Sequence, residues 1–241
     1  MDKKIINIKD MEFIKLQDKN INMLFSTAKN NVSFKIGSNE LYNYLDDLKE
    51  DLNLKDFKFL EQIHGNKIYN IDKDFGLDIK KGDGLYTKSK SIAIGVFTAD
   101  CVPVILYDNK NNIISAVHSG WKGTFEEISG KAVDIFIKNG SNPSNIKVII
   151  GPHICSKCYE VSEELIEKFK SKDIFNNFKI HEGRFLNLEN CVKSQLLYRG
   201  IKDENIISLK ICTLCEKNIK LHSYRKDKEN SGRLISFIYM N

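Results

Sequence analysis

Three short apolar runs, Ile92–Thr98, Val104–Tyr107 and Ile113–Val117, follow one another within a small part of the chain. Runs this short, rich in Ile and Val, read as buried strands. Asp108–Asn112 separates the last two and reads as a hairpin turn. The chain must therefore bury a sheet. The segments alternating with these strands carry helical spacing, so the pattern predicts a mixed α and β fold.

Further strands are expected at Lys58–Ile63, Lys67–Ile71, Ile146–Ile150, Ile206–Leu209 and Leu234–Tyr239. Ser38 is placed to cap a helix over Asn39–Leu52, in which Leu41, Tyr44, Leu45, Leu48 and Leu52 share one face. A second helix is predicted over Thr124–Asn139, with Thr124 as cap, an apolar face of Phe125, Ile128, Ala132, Ile135 and Phe136, and Gly140 as its end. Ser162–Lys170 and Asn187–Arg199 complete the helices, the last closed by Gly200.

Bulk properties narrow the function. The 241 residues contain 41% hydrophobic and 29% charged residues, the usage of a soluble globular protein, and no repeat or linker divides them. One domain over residues 1–241 is expected. No apolar run approaches the roughly 18 residues of a membrane span, and the N-terminus lacks a signal-peptide core, so the expected compartment is the cytoplasm, without a membrane partner. There the six cysteines point to metal binding or catalysis and away from disulfides. The net charge of +5 comes from 37 basic and 32 acidic residues mixed along the chain. No basic face with interleaved aromatics stands out, so no nucleic-acid partner is expected.

Three stretches carry soft metal donors beside glycine or a turn: Gln62-Ile63-His64-Gly65, Thr98-Ala99-Asp100-Cys101-Val102-Pro103 and Ala116-Val117-His118-Ser119-Gly120-Trp121. Cys101 and His118 fall at the ends of neighbouring predicted strands, and His64 falls at a strand-to-turn boundary, where scaffolds present reactive groups. Two histidines and one cysteine suit zinc with one open coordination position. The same residues allow a second reading, a metal-free Cys101–His118 thiolate–imidazole pair as in cysteine hydrolases. Asp100 can serve as a supporting acceptor or a cap.

Two Cys-x-x-Cys units, Cys155–Cys158 and Cys212–Cys215, lie far apart in sequence. Ordinary packing is the expectation for these four and for Cys191, with a structural Cys₄ zinc as the alternative. His153, His181 and His222 are expected in surface or helper roles. Tyr224-Arg225, with Arg233 nearby, sets an aromatic ring beside fixed positive charge, which suits an anionic or phosphorylated substrate.

The donor stretches occur in order with Gly82-Asp83-Gly84-Leu85, Ile150-Gly151-Pro152, Cys158-Tyr159-Glu160-Val161, Cys212-Thr213 and Ser223-Tyr224-Arg225. From about Phe25 to near the C-terminus, this order resembles the YfiH-like, or laccase-domain, proteins. The resemblance implies an α+β sandwich of mixed β-sheets flanked by helices, distantly similar to a cysteine-deamidase toxin domain. It also implies zinc on His64, Cys101 and His118. The implied chemistry is phosphorolysis of adenosine, inosine and methylthioadenosine, with adenosine deamination as a side activity, so purine nucleoside and phosphate are the expected partners. On this reading Asp83 and Asp100 are supporting carboxylates, and Tyr224, Arg225 and Arg233 bind substrate.

The older assignment of the family as multicopper polyphenol oxidases is disfavoured, because five histidines in the whole chain are too few for the usual copper set. One departure concerns phosphate. Family members commonly carry arginine and two glycines in a Phe-Ser-Thr-Arg-x-Gly-Gly stretch, whereas this chain has Phe25-Ser26-Thr27-Ala28-Lys29-Asn30-Asn31. Lys29 is the candidate substitute for that arginine.

Overall fold

A computed structural model describes residues 2–74 and 79–241. The chain opens with three strands that the sequence pattern did not reveal, β1 (Asp2–Ile8), β2 (Met11–Asp18) and β3 (Ile21–Ser26). They are joined by the two-residue turns Lys9-Asp10 and Lys19-Asn20, and Lys9 and Lys19 take positive φ of 49° and 56°. Tight hairpins need that backbone hand, which Asn-Gly or Asp-Gly pairs usually signal. Here lysines adopt it, so the usual signal is absent.

Helix α1 (Asn39–Asp51) starts where expected, with the Ser38 side chain accepting the Leu41 amide. The strand expected over Lys58–Ile63 is displaced, and β4 spans Asp56–Lys58. Residues 59–63 leave the ladder except for a bridge from Glu61 to Lys81. β5 (Ile68–Asn70) leads straight into the single-turn α2 (Ile71–Asp74), and β6 (Gly84–Thr87) was not anticipated. β7 (Ile92–Thr98), β8 (Val102–Asp108) and β9 (Ile113–Ser119) follow. The Asp108 carboxylate ties their hairpin by accepting from the Lys110 amide and the Asn111 side chain.

The helix expected over Thr124–Asn139 is two helices, α3 (Trp121–Phe125) and α4 (Ile128–Lys138). Glu127 breaks them with φ 61°, and its carboxylate is held by Lys172 and Arg199. Thr124 is no cap: it lies buried inside α3 and hydrogen-bonds the Ser119 hydroxyl at 2.8 Å. The chain continues through β10 (Lys147–Ile150), α5 (Glu163–Lys170), the small hairpin β11 (His181–Glu182) and β12 (Phe185–Leu186), and α6 (Leu188–Tyr198). It ends with β13 (Ile206–Ser208), the short α7 (Tyr224–Asp227) and β14 (Leu234–Met240).

Two six-stranded mixed sheets form, in the orders β1-β2-β3-β14-β7-β4 and β13-β10-β8-β9-β6-β5. Alternation along each strand sends side chains to opposite faces and so builds three apolar layers. Ile94, Val96, Ile238 and Met240 from the first sheet meet Ile105, Tyr107, Ile114 and Ala116 from the second. Intervening residues of β14, Ile235, Phe237 and Tyr239, belong with α1 to the outer layer of the first sheet. Val102, Val104 and Leu106 face α4 and α6 on the outer side of the second. The result is an α+β sandwich of mixed sheets flanked by helices, as the resemblance implied. Among the described residues no helix is long and apolar enough to cross a membrane.

Candidate metal centre

Register places the site. β8 and β9 pair antiparallel so that Pro103 lies opposite His118 and Val102 opposite Ser119. Cys101, just before β8, therefore meets His118 near the end of β9. The third stretch is brought in by Gln62, whose side-chain amide both donates to the Phe97 carbonyl at 2.8 Å and accepts its amide at 2.7 Å. A side chain thus imitates a neighbouring strand and fixes His64, two residues on, against the end of β7. His64 has φ 58°. His64, Cys101 and His118 each offer one donor atom, and these atoms lie within 4.8 Å of one another.

Asp83 organises both histidines from a fully buried position. Its Oδ1 accepts the His64 amide at 2.9 Å and lies 2.8 Å from His118 Nδ1, while its Oδ2 accepts the Gly65 amide at 2.7 Å. Burial alone would raise the Asp83 pKa, but His118 and the two amides outweigh it and lower it. An ionised carboxylate only accepts, so Nδ1 of His118 carries the proton and Nε2 is left as the donor atom. Burial likewise opposes a charged Cys101, yet His118 and His64 bring its thiol down to about 6. His118 moves the other way, to about 9, because the Cys101 thiolate and Asp83 overcome its burial.

The donor set fits a three-ligand metal site in kind and in spacing. The surrounding backbone fits it too. A Cβ on Gly120 would stand 3.0 Å from His64 Cδ2, 3.1 Å from Cys101 Sγ and 3.6 Å from His118 Cε1. Glycine there keeps the space among the three donors clear. At Gly123 a Cβ would come within 2.6 Å of the Gly65 carbonyl, so only glycine lets α3 approach the His64 turn this closely.

The centre opens into a cavity of about 820 Å³. Its wall includes the predicted residues Asp100, Tyr224, Arg225 and Arg233, along with four not singled out, Lys35, Trp121, Tyr159 and Lys228. Trp121 and Tyr159 sit inside motifs visible in the sequence, whereas Lys35 and Lys228 carry no local signal. Asp100 is committed on both oxygens, accepting Thr213 Oγ1 and the Arg225 amide, each at 2.6 Å. These bonds tie α7 and the Cys212 loop to the cavity wall. Arg225 lies over the Tyr159 ring at 5.2 Å and donates to the Glu160 carbonyl. Arg233 donates to the carbonyls of Ser231 and Gly232, and Tyr224 donates to Glu229.

Other expectations fare differently. Lys29 is absent from the cavity wall and ion-pairs with Glu12 at 2.7 Å. His153 is buried, with Nδ1 2.8 Å from the Gly151 carbonyl and Nε2 3.5 Å from Glu189. Cys191 is packed in the core as expected. Cys155, Cys158, Cys212 and Cys215, for which packing was the expectation and a structural Cys₄ zinc the alternative, bring their four sulfurs within 4.8 Å of one another. The fold supplies a meeting point that sequence separation concealed.

Comparison with known proteins supports this architecture. Residues 28–241 match the family model described as multi-copper polyphenol oxidoreductase laccase. A purine nucleoside phosphorylase of Clostridium acetobutylicum is 40% identical over 97% of this chain and 99% of its own. An adenosine deaminase, RL5, from an unknown prokaryotic organism is 32% identical over 78% and 76%. The crystal structure of the YfiH protein of Bacillus licheniformis superposes with a TM-score of 0.86 at 26% identity, covering 98% of this chain and 99% of that one. This chain belongs to the laccase-domain family of YfiH- and YlmD-type proteins.

Proposed function

We propose that the protein is a zinc-dependent purine nucleoside phosphorylase acting on adenosine, inosine and S-methyl-5′-thioadenosine, with adenosine deamination as a side activity. The observation that carries this reading is the convergence of His64, Cys101 and His118 in the wall of a cavity that aromatic rings and cations also line. The names of the relatives, a phosphorylase and a deaminase, support the substrate class. The cavity volume lies within the range of roughly 300–1,000 Å³ usual for small-molecule sites.

His64, Cys101 and His118 would hold the zinc ion, which would supply Lewis acidity beside the cavity. The chain's own residues do the rest. Asp83 fixes the His118 tautomer and the His64 backbone. Lys35, Arg225, Lys228 and Arg233 provide the positive wall for phosphate, in the place of the family arginine that Ala28 lacks. Trp121 and Tyr159 offer faces for a purine. In phosphorolysis a phosphate oxygen bonds to C1′ as the C1′–N9 bond breaks, and the purine leaves with the electron pair and takes up a proton. Fixed cations stabilise the attacking anion.

Metal-analysed protein given adenosine with and without phosphate tests the proposal. Adenine and ribose 1-phosphate, formed only with phosphate, support it; inosine in either case reports deamination. The absence of all three products defeats it.

The depressed Cys101 and elevated His118 favour one second reading, a metal-free Cys–His hydrolase or amidase acting on peptidoglycan precursors. Full activity in metal-stripped protein, abolished by iodoacetamide, would select it. A multicopper oxidase is not supported. Among the described residues only two groups of three or more His, Cys, Asp or Glu could hold a metal, and one of them is all cysteine.

A further inference from the structure

The four cysteines outside the cavity form two copies of one local structure. In the first, the amides of Cys158 and Tyr159 return to the Cys155 carbonyl at 3.0 and 3.1 Å; in the second, the Glu216 amide returns to the Cys212 carbonyl at 3.2 Å. Each Cys-x-x-Cys unit is thus a turn that points two sulfurs the same way. The turns are locked face to face by a parallel bridge between His153 and Cys212, in which the His153 amide donates to the Ile211 carbonyl and the Thr213 amide to the His153 carbonyl.

We propose that Cys155, Cys158, Cys212 and Cys215 form a second, structural metal site that holds one zinc ion as a tetrathiolate. The sulfurs of Cys155 and Cys215 lie 3.9 Å apart, and all four fall within 4.8 Å. Four sulfurs each at the ~2.3 Å Zn–S distance of a tetrahedral site stand roughly 3.8 Å from one another. The Cys155 amide already donates to Cys212 Sγ at 3.3 Å, the kind of hydrogen bond that supports a sulfur ligand. Cys212 is buried and Cys215 exposed, so the site has a rigid inner wall and an entry path. Binding exchanges four thiol protons for one dication and leaves no open position, so the ion is not a reaction centre.

The location gives the site its purpose. Thr213, inside the second turn, donates to Asp100, and the Asp100 carbonyl accepts the Ile154 amide just before the first turn. Tyr159, directly after Cys158, lines the cavity. The ion would clamp both loops to the residue that precedes Cys101.

Metal analysis of the whole chain, purified with reductant, tests the proposal independently of any nucleoside activity. Cys155→Ser/Cys215→Ser protein should contain one zinc fewer per chain than the wild type, and His64→Ala/Cys101→Ser protein should keep the ion the first variant loses. Cobalt exchange should give the intense sulfur-to-cobalt absorption of a tetrathiolate in the second variant and not in the first. Cys215→His, which leaves a Cys₃His set with Cys155 intact, should keep the ion that the double variant loses, which separates ligation from a folding defect. Equal zinc content in the wild type and Cys155→Ser/Cys215→Ser proteins would overturn the site. So would iron in place of zinc, or a mass about 2 Da low from a disulfide in reductant-treated protein.

Discussion

Asp83 and His118 are joined twice: the Asp83 carboxylate lies 2.8 Å from His118 Nδ1, and the His118 amide donates to the Asp83 carbonyl at 2.7 Å. One residue thereby fixes both the backbone and the ring of a candidate ligand, and its remaining bonds fix the His64 turn.

Asp83→Asn tests that arrangement at constant volume. An amide cannot accept from every donor now facing the carboxylate, so zinc affinity should fall about 10–100-fold. Stability should fall by about 1–3 kcal/mol, because buried amides lose their acceptor. Competition with a chromophoric chelator reads the first effect and denaturant unfolding the second.

Gly120→Ala should separate folding from metal binding. The backbone φ of Gly120 is −71°, so alanine is not strained there, but its Cβ would crowd His64 and Cys101. The expected protein keeps its fold while losing the metal of the His64–Cys101–His118 centre and at least about tenfold in kcat/KM, a cost of roughly 1.4 kcal/mol or more. Metal analysis with a thermal melt decides it.

The Cys101–His118 pair gives the metal-free protein a defined pH behaviour. Cys101 is depressed to about 6, so its contribution to stability is lost as pH falls through that value. His118 is raised to about 9, so its contribution is lost as pH rises through that value. Stability from the pair is therefore greatest between the two, and Cys101 should react with iodoacetamide with a midpoint near 6. Added zinc should suppress the reaction, and His118→Asn should move the midpoint upward, as read by mass spectrometry of the alkylated peptide.

Phosphate use discriminates among the lysines. Lys35 and Arg233 line the cavity, while Lys29 is paired with Glu12 away from it. Lys35→Ala and Arg233→Ala should each raise the KM for phosphate about tenfold, the effect of losing roughly 1.4 kcal/mol of charge-assisted binding. Lys29→Ala should raise it far less. Initial rates at varied phosphate and fixed adenosine make the comparison.

Local sequence carried most of the second sheet and all three candidate ligands. β7, β8 and β9 are continuous apolar runs because both faces are covered, and that signal survives without knowledge of the partners. Ser38 and Ser162 cap helices through bonds to residues three positions on, again a local matter. β1 to β3 escaped because their hairpins place lysine in the left-handed region. The break at Glu127 escaped local reading, and the residues that hold its carboxylate, Lys172 and Arg199, lie far along the chain.

Sequence by itself determined which residues have the chemistry: His64, Cys101 and His118 as soft donors, each at the end of a strand or in a turn. Tertiary structure alone decided which of them meet. Strand register set Cys101 beside His118, the Gln62 amide carried His64 to the end of β7, and a bridge between His153 and Cys212 gathered four cysteines that lie far apart in sequence. Local sequence governs backbone preference and donor type, but proximity between distant segments depends on pairing across sheets.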